Sequence, residues 1–402
     1  MSKFIWLVAF ALCSTILAQG RGGADTSRPT GQQGDLHARN PLVLIPRSHE
    51  TREAFYLAEH RIRLAVQVAD GSANPSPGLS REDFSILDNG QPRQILDFKP
   101  LDGGSAPVSL FLLIDGVNNS AQRIGFERKE ITAYLTRDGG KVPFPTTVGL
   151  MTADGIVAGK PTRDGLAASR ELWSMTKSLR TSSCAENADL HAPGFQSAVV
   201  ANDGLSEDIK DRRSAHVVQC LNERFKASIA ALGDLVQKLQ ETPGRVLLIA
   251  FGAGWSTFEG PEFAPDTPAA SLRFYEYLAN IQNFLRESQI TLFSVSTPEE
   301  LKDAGVTREQ IDRLLTLVPT PETALARHLA LQALAFRSGG LVLSGTRNIA
   351  TAIAKCAADG TTFYSLSFES PPAESPGEYH VLHIAAKPGW TVRTATSYFA
   401  QP

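Results

Sequence analysis

The stretch VSLFLLI at residues 108–114 runs without polar alternation and ends in Asp115, and the turn-prone Gly116-Val117-Asn118-Asn119-Ser120 follows. A strand buried on both faces reads this way, and such strands belong to parallel sheets covered by helices. The carboxylate of Asp115 then stands at the strand's C-terminal end, where open α/β sheets place their ligand sites.

The surrounding sequence repeats this strand-then-helix rhythm. A helical segment at 123–135 is followed by a strand at 147–152 and a helix at 164–179. A long amphipathic helix carries Leu221, Phe225, Ile229, Leu232, Val236 and Leu239 at three- and four-residue steps, and Pro243-Gly244 ends it. Next come a second fully apolar strand, RVLLIAF at 245–251, a helix at 271–287 and a strand at 290–296. Helices at 307–317 and 322–337, a short strand at 341–343 and a helix at 347–358 complete the middle of the chain. Alternation of this kind predicts an α/β fold with a doubly wound, mostly parallel, Rossmann-like sheet over 105–358. Residues 181–219 break the rhythm and are expected to form an irregular insertion.

Both flanks read as β structure. Ile62, Leu64, Val66 and Val68 alternate with more polar residues, and Asn89-Gly90 suits a tight hairpin turn between strands at 84–87 and 94–98. Near the other end, strands are expected at 363–368, 379–385 and 390–398. Three or four short strands at 55–104 are too few to stand alone. They are therefore expected to meet 361–400 in one small β-sandwich, with the α/β region inserted between. At the N-terminus, Lys3 precedes an apolar stretch at 4–18 of signal-peptide length, which predicts export to the periplasm or beyond, with cleavage near Ala18. Lipidation at Cys13 is the alternative, although Phe10-Ala11-Leu12 lacks the small residue expected beside a lipidated cysteine. Residues 19–54, rich in Gly, Arg, Gln and Pro, read as a flexible linker.

Composition matters chiefly for what it excludes. With 39 basic and 42 acidic residues and no long run of one sign, nothing points to nucleic acid or an anionic membrane surface. No membrane span is expected in the mature chain. If Cys13 leaves with the leader, either Cys184 and Cys220 form a bridge and Cys356 stays unpaired, or all three are buried thiols; the spacings match no zinc site. Gly252-Ala253-Gly254 lacks the third glycine of a dinucleotide-binding loop, since Thr257 stands there. His380 and His383 lie on opposite faces of one strand, which argues against a shared metal. Neither Gly-x-Ser-x-Gly nor His-Glu-x-x-His occurs, so a hydrolase has no named nucleophile or metal-bound water. Trp255, Phe258 and Phe263 form an aromatic loop, either a contact surface or a satellite core.

Taken in order, LSREDFSILDNGQPRQILDFKP, SLFLLIDGVNNS, PGRVLLIAFGAG, Ser338-Gly339-Gly340-Leu341, FYSLSFESP and GEYHVLHIAAKPGWTVRTATSYFA resemble the von Willebrand factor A-related family of exported acidobacterial proteins. The resemblance covers nearly all of the chain from about residue 55. It implies the A-domain's Rossmann-like sheet and a role in binding or adhesion. Many A domains hold a divalent cation with an Asp-x-Ser-x-Ser loop, a Thr and a second Asp. Mg²⁺ wants near-octahedral oxygen ligands and leaves a position for a partner's carboxylate. Here Asp115 matches the first position, Val117 replaces the second, Asn119 takes the third, and Ser120 would serve only in a shifted loop. Phe251 replaces the second Asp, and Thr176 and Thr181 are alternatives for the Thr.

These readings lead to an exported, non-enzymatic binding or scaffold protein, contacting a protein or envelope polymer through Asp115, Asn118, Trp255 and Phe258, with no metal or other cofactor. The alternative is adhesion that depends on Mg²⁺ or another divalent cation at Asp115, Asn119 and Ser120. An unrecognised hydrolase is a third reading.

Overall fold

The computed structural model describes residues 60–69, 78–102, 104, 106–177, 207–255, 268–375 and 377–400. The leader and linker expected before residue 55, and Cys13, lie outside them. The first β segment gives β1 (Arg61–Ala69), β2 (Ser85–Asp88), β3 (Gln91–Arg93) and β4 (Asp97–Asp102). The middle begins with β5 (Val108–Asp115), α1 (Ala121–Thr136), β6 (Lys141–Thr152), β7 (Gly155–Ala158), β8 (Thr162–Asp164) and α2 (Gly165–Lys177). It continues through α3 (Glu207–Leu239), β9 (Arg245–Phe251), α4 (Pro268–Glu287), β10 (Ile290–Ser296), α5 (Pro298–Asp303) and α6 (Arg308–Thr316). The chain then forms α7 (Leu331–Arg337), β11 (Val342–Ser344), α8 (Ile349–Ala357), β12 (Thr362–Glu369), β13 (Glu378–Ala385), β14 (Thr391–Arg393) and β15 (Ser397–Ala400).

The central sheet has seven strands, with β11-β10-β9-β5-β6 parallel and β7 and β8 antiparallel on β6. Strands β9 and β10 are buried along their whole length, as their unbroken apolar runs require. On one face, Phe111 and Leu113 of β5 pack with Ile229, Leu232 and Val236 of α3 and Leu278 of α4. On the other, Leu110, Leu112 and Ile114 pack with Ile131 of α1, Leu172 of α2 and Ile353 of α8. Leu112 is completely buried; burying a side chain of its size contributes about 1.5–3 kcal/mol. Covered on both faces, β5 has no side left for a solvent-facing pattern, which is why its sequence shows none.

Strands from the two ends of the chain pair with one another. β12 lies between β1 and β4, with Ile62 opposite Phe368, Leu64 opposite Leu366 and Val66 opposite Tyr364. A second four-stranded sheet, β15-β13-β2-β3, shares the same core through Ile86, Leu382, Ile384 and Tyr398. Asn89 and Gly90 both take positive φ, 47° and 78°, in the β2–β3 turn.

The structure departs from the sequence reading at four places. Of the expected strand 94–98 only the last two residues are strand: the hairpin partner of β2 is β3, at 91–93, and residues 97 and 98 open β4, which crosses to β12. The expected strand 390–398 is divided between β14 on β1 and β15 on β13. The expected helix 322–337 is a 3-10 turn, Ala326–Leu329, followed by α7, because Ala330 at φ −57°, ψ 141° interrupts the ladder; its many apolar residues reflect burial and not helical period. Finally, 207–219, assigned to the irregular insertion, begins the 33-residue helix α3. A charged opening has no apolar period to reveal it.

Candidate functional site

The chain leaves β5 for β6 on one side and returns to β9 on the other, so the switch point of the sheet lies between the C-terminal ends of β5 and β9. Asp115 closes β5 there and is only 5% exposed. Its Oδ1 accepts from the backbone N–H groups of Val117 and Asn118, both at 2.9 Å. Its Oδ2 accepts from Asn118 Nδ2 at 2.7 Å, and the same amide reaches Ser228 Oγ of α3 at 2.8 Å. Arg224, also on α3, fixes the loop from below by donating from Nε to the Val117 carbonyl at 2.9 Å. Burial raises the Asp115 carboxyl above its ordinary range, against the bonds from Asn118 and Val117 and the charge of Arg224. A carboxylate held this way is a loop organiser, because it satisfies N–H groups that the turn leaves behind.

Asn119 turns the other way. Its Nδ2 donates to Glu127 Oε1 of α1 at 2.9 Å. A Cβ added to Gly252, which follows β9 at φ 115°, would lie 2.7 Å from that nitrogen. Only glycine allows the close approach and the backbone angle together. Ser120 is the N-cap of α1, accepting from Arg123 N at 3.4 Å. Glu127 is fully buried and hydrogen bonds Glu300, which closes a capping box with Thr297 at the start of α5. Burial, then the neighbouring Glu300, push the Glu127 carboxyl well above its ordinary value; burial likewise raises Glu300. Glu127 Oε2 and Glu300 Oε1 are buried without a hydrogen-bond partner; with both carboxyls pushed up, one proton between them would satisfy both. Arg123 and Asp303 add an ion pair at 2.8 Å between α1 and α5.

These donors fit a divalent cation poorly. Such an ion needs several free oxygen lone pairs, whereas both oxygens of Asp115 accept N–H groups, Asn119 presents its NH₂ to Glu127, and Ser120 Oγ serves the helix cap. Val117 and Phe251 are apolar and buried. Thr176 donates to the Leu172 carbonyl and accepts from Arg128 Nη1; Thr181 lies outside the described residues. Among the described residues no group of three or more His, Cys, Asp or Glu side chains is arranged to hold a metal.

The other expected site residues are dispersed. Trp255 is 2% exposed and donates from its indole nitrogen to the Leu329 carbonyl at 2.7 Å. It is core, and the expectation that it anchors a partner at the surface is corrected: the turn after β9 folds inward onto the segment before α7. Phe258, Phe263 and Cys184 lie outside the described residues. Cys220 is disulfide-bonded and Cys356 is a buried free thiol. His380 is buried and His383 exposed, on opposite faces of β13.

Two polar clusters were not foreseen. The first is the Glu127–Glu300 pair, for which Thr297-x-x-Glu300 ahead of α5 was a legible capping signal. In the second, His380 Nδ1 lies 2.7 Å from Asp88 Oδ1, while Tyr398 donates to Asp88 Oδ2 at 3.0 Å and Arg93 Nε pairs with the same oxygen at 3.2 Å. Burial tends to raise the Asp88 carboxyl, but His380, Tyr398 and Arg93 outweigh it and hold the group below its ordinary value. This cluster fastens β2, β13 and β15 together.

No protein-family model matches the chain, and a search of curated proteins returns no match. Among solved structures, the chain is similar to the human COPII-coat protein Sec24c at 9% identity and a TM-score of 0.29, covering 74% of this chain and 44% of that one. It is also similar to the manganese-loaded Plasmodium vivax TRAP protein at 12% identity and a TM-score of 0.30, covering 75% and 98%. The chain thus spans under half the length of the coat protein. At these scores the likenesses decide neither family nor function.

Proposed function

We propose that this chain is an exported, non-enzymatic binding or scaffold protein of the von Willebrand factor A-related kind. In this reading the seven-stranded sheet is the A-type domain, and the two four-stranded sheets form a β-sandwich that carries it. A protein or envelope polymer binds at the C-terminal edge of the central sheet without a metal ion. The observation that supports this most is the state of Asp115: the carboxylate at the switch point is engaged by Val117 and Asn118 of its own loop. The edge is thereby a fixed contact surface whose shape needs no cation, and preorganised surfaces bind without a large ordering penalty.

The test is affinity capture from envelope extract with the full chain, with and without EDTA, alongside Asp115→Ala. Retention of the same partner in EDTA, with loss in the variant, supports the reading. Capture that vanishes on chelation, or calorimetric heat from Mg²⁺, Mn²⁺ or Ca²⁺ that the variant abolishes, would instead establish cation-dependent adhesion.

A further inference from the structure

A cavity of about 20 Å³ lies where α4, α7 and β15 meet, lined by Gln282, Leu285, Arg286, Arg337, Ser338 and Ser397. Its walls are more polar than their satisfied bonds explain. Gln282 is 7% exposed and Ser397 5%, yet neither Nε2 nor Oε1 of Gln282, nor Ser397 Oγ, has a hydrogen-bond partner. Buried polar groups are rarely left so, because each has given up its bonds to water.

The charge is unbalanced in the same place. Arg337 is 3% exposed and donates from Nη1 to the His328 carbonyl and from Nη2 to the Leu317 carbonyl, both at 2.8 Å. It also hydrogen bonds Tyr379. Among the described residues no carboxylate lies within ion-pair distance of it. Arg286 on the opposite wall pairs with Glu287 at 2.9 Å. Burial, then the charge of Arg337, depress the nearby His328 imidazole to about 4. A buried cation without a counter-charge is unfavourable, because its lost hydration is not repaid.

We propose that this cavity is a binding site for one halide-sized anion, chloride in ordinary buffers, which accepts hydrogen bonds from Gln282 Nε2 and Ser397 Oγ and balances Arg337. Size and charge define the ligand together. A cavity needs roughly 10–15 Å³ to admit one water-sized atom, so this one has room for a monoatomic ion. A water would satisfy the amide and the hydroxyl but leave the guanidinium uncompensated. The anion joins α4 and α7 of the α/β layers to β15 of the strand-paired ends, so it fastens the two halves of the fold.

The full chain is melted in sodium chloride and in sodium gluconate at equal ionic strength, and crystals are soaked in molar bromide for anomalous scattering. The expected results are a saturable upward shift in midpoint of roughly 2 °C near tenfold the Kd and a bromide peak between Gln282 and Ser397. Gln282→Leu, which fills the space, should lose the chloride-specific shift. Ser397→Ala gives the same comparison should the leucine variant fail to fold. Absence of a bromide peak in the cavity overturns the proposal, as does a chloride-specific shift that persists in both variants.

Discussion

The substitution Glu127→Gln should make the protein more stable, and increasingly so as pH rises. Glu127 is completely buried, accepts from Asn119 and lies beside Glu300, whose charge adds to the effect of burial. Burial and the second acid hold its carboxyl well above the ordinary 4.5. The folded chain therefore keeps a proton that the unfolded chain has released, and stability is complete below pH 4.5 and lost as pH climbs through the folded pKa. One retained proton corresponds to a slope of about 1.4 kcal/mol per pH unit, against a total stability of about 5–15 kcal/mol for a typical domain. The substituted amide would keep an oxygen for Asn119 and turn an NH₂ to Glu300, with no proton to lose. Urea unfolding of both proteins across pH gives the difference directly. It should be near zero in acid and grow in favour of the variant above pH 4.5. A difference that stays flat between about pH 5 and pH 8 would refute the shared-proton account.

Gly252→Ala should cost about 2–4 kcal/mol, since the new methyl meets Asn119 and the φ of 115° suits only glycine; urea midpoints measure this, and a change below about 0.5 kcal/mol would contradict the packing described. Trp255→Phe removes the donor to Leu329 and should destabilise by about 1–3 kcal/mol. Partner capture by that variant at a temperature where it stays folded should be unchanged, because the side chain is buried. Asp88→Asn should destabilise at neutral pH by roughly 2–4 kcal/mol. The folded carboxyl is depressed, so its stabilisation is present above pH 3.8 and lost as pH falls through the folded pKa. The gap between variant and parent should accordingly narrow in strong acid, as pH-dependent circular dichroism would register.

The central sheet was legible because its strands are buried on both faces, a condition that writes itself as uninterrupted apolar sequence in 108–114 and 245–251. The change of sheet between β3 and β4, and between β14 and β15, was not, because nothing in short neighbouring strands names the partner each will take. At the site, Asp115 was placed at the end of its strand from sequence, where the structure has it, and the apolar character of Val117 and Phe251 was visible as residue types. What Asn119 faces was hidden, since Glu127 lies eight residues away on a helix and Glu300 arrives from another strand-helix unit. Trp255 shows the same limit: an aromatic after a strand looks identical in sequence whether it points to solvent or to Leu329.

The pairing of β1 with β12 sets an order of events during synthesis. Arg61 must wait for Glu369, about 300 residues downstream, and at cellular elongation rates of about 5–20 residues per second that interval is roughly 15–60 s. Through it, β1 and β4 lack β12 and the β2–β3 hairpin lacks β13, so edges stay open, the condition in which strands pair with the wrong chain. The α/β layers can assemble meanwhile from their own nearby strands and helices, and their completion through α8 delivers β12 to the waiting edge. The middle of the chain thus works as a clasp, and a nascent chain stalled before Thr362 would carry a folded centre on an adhesive, half-built start.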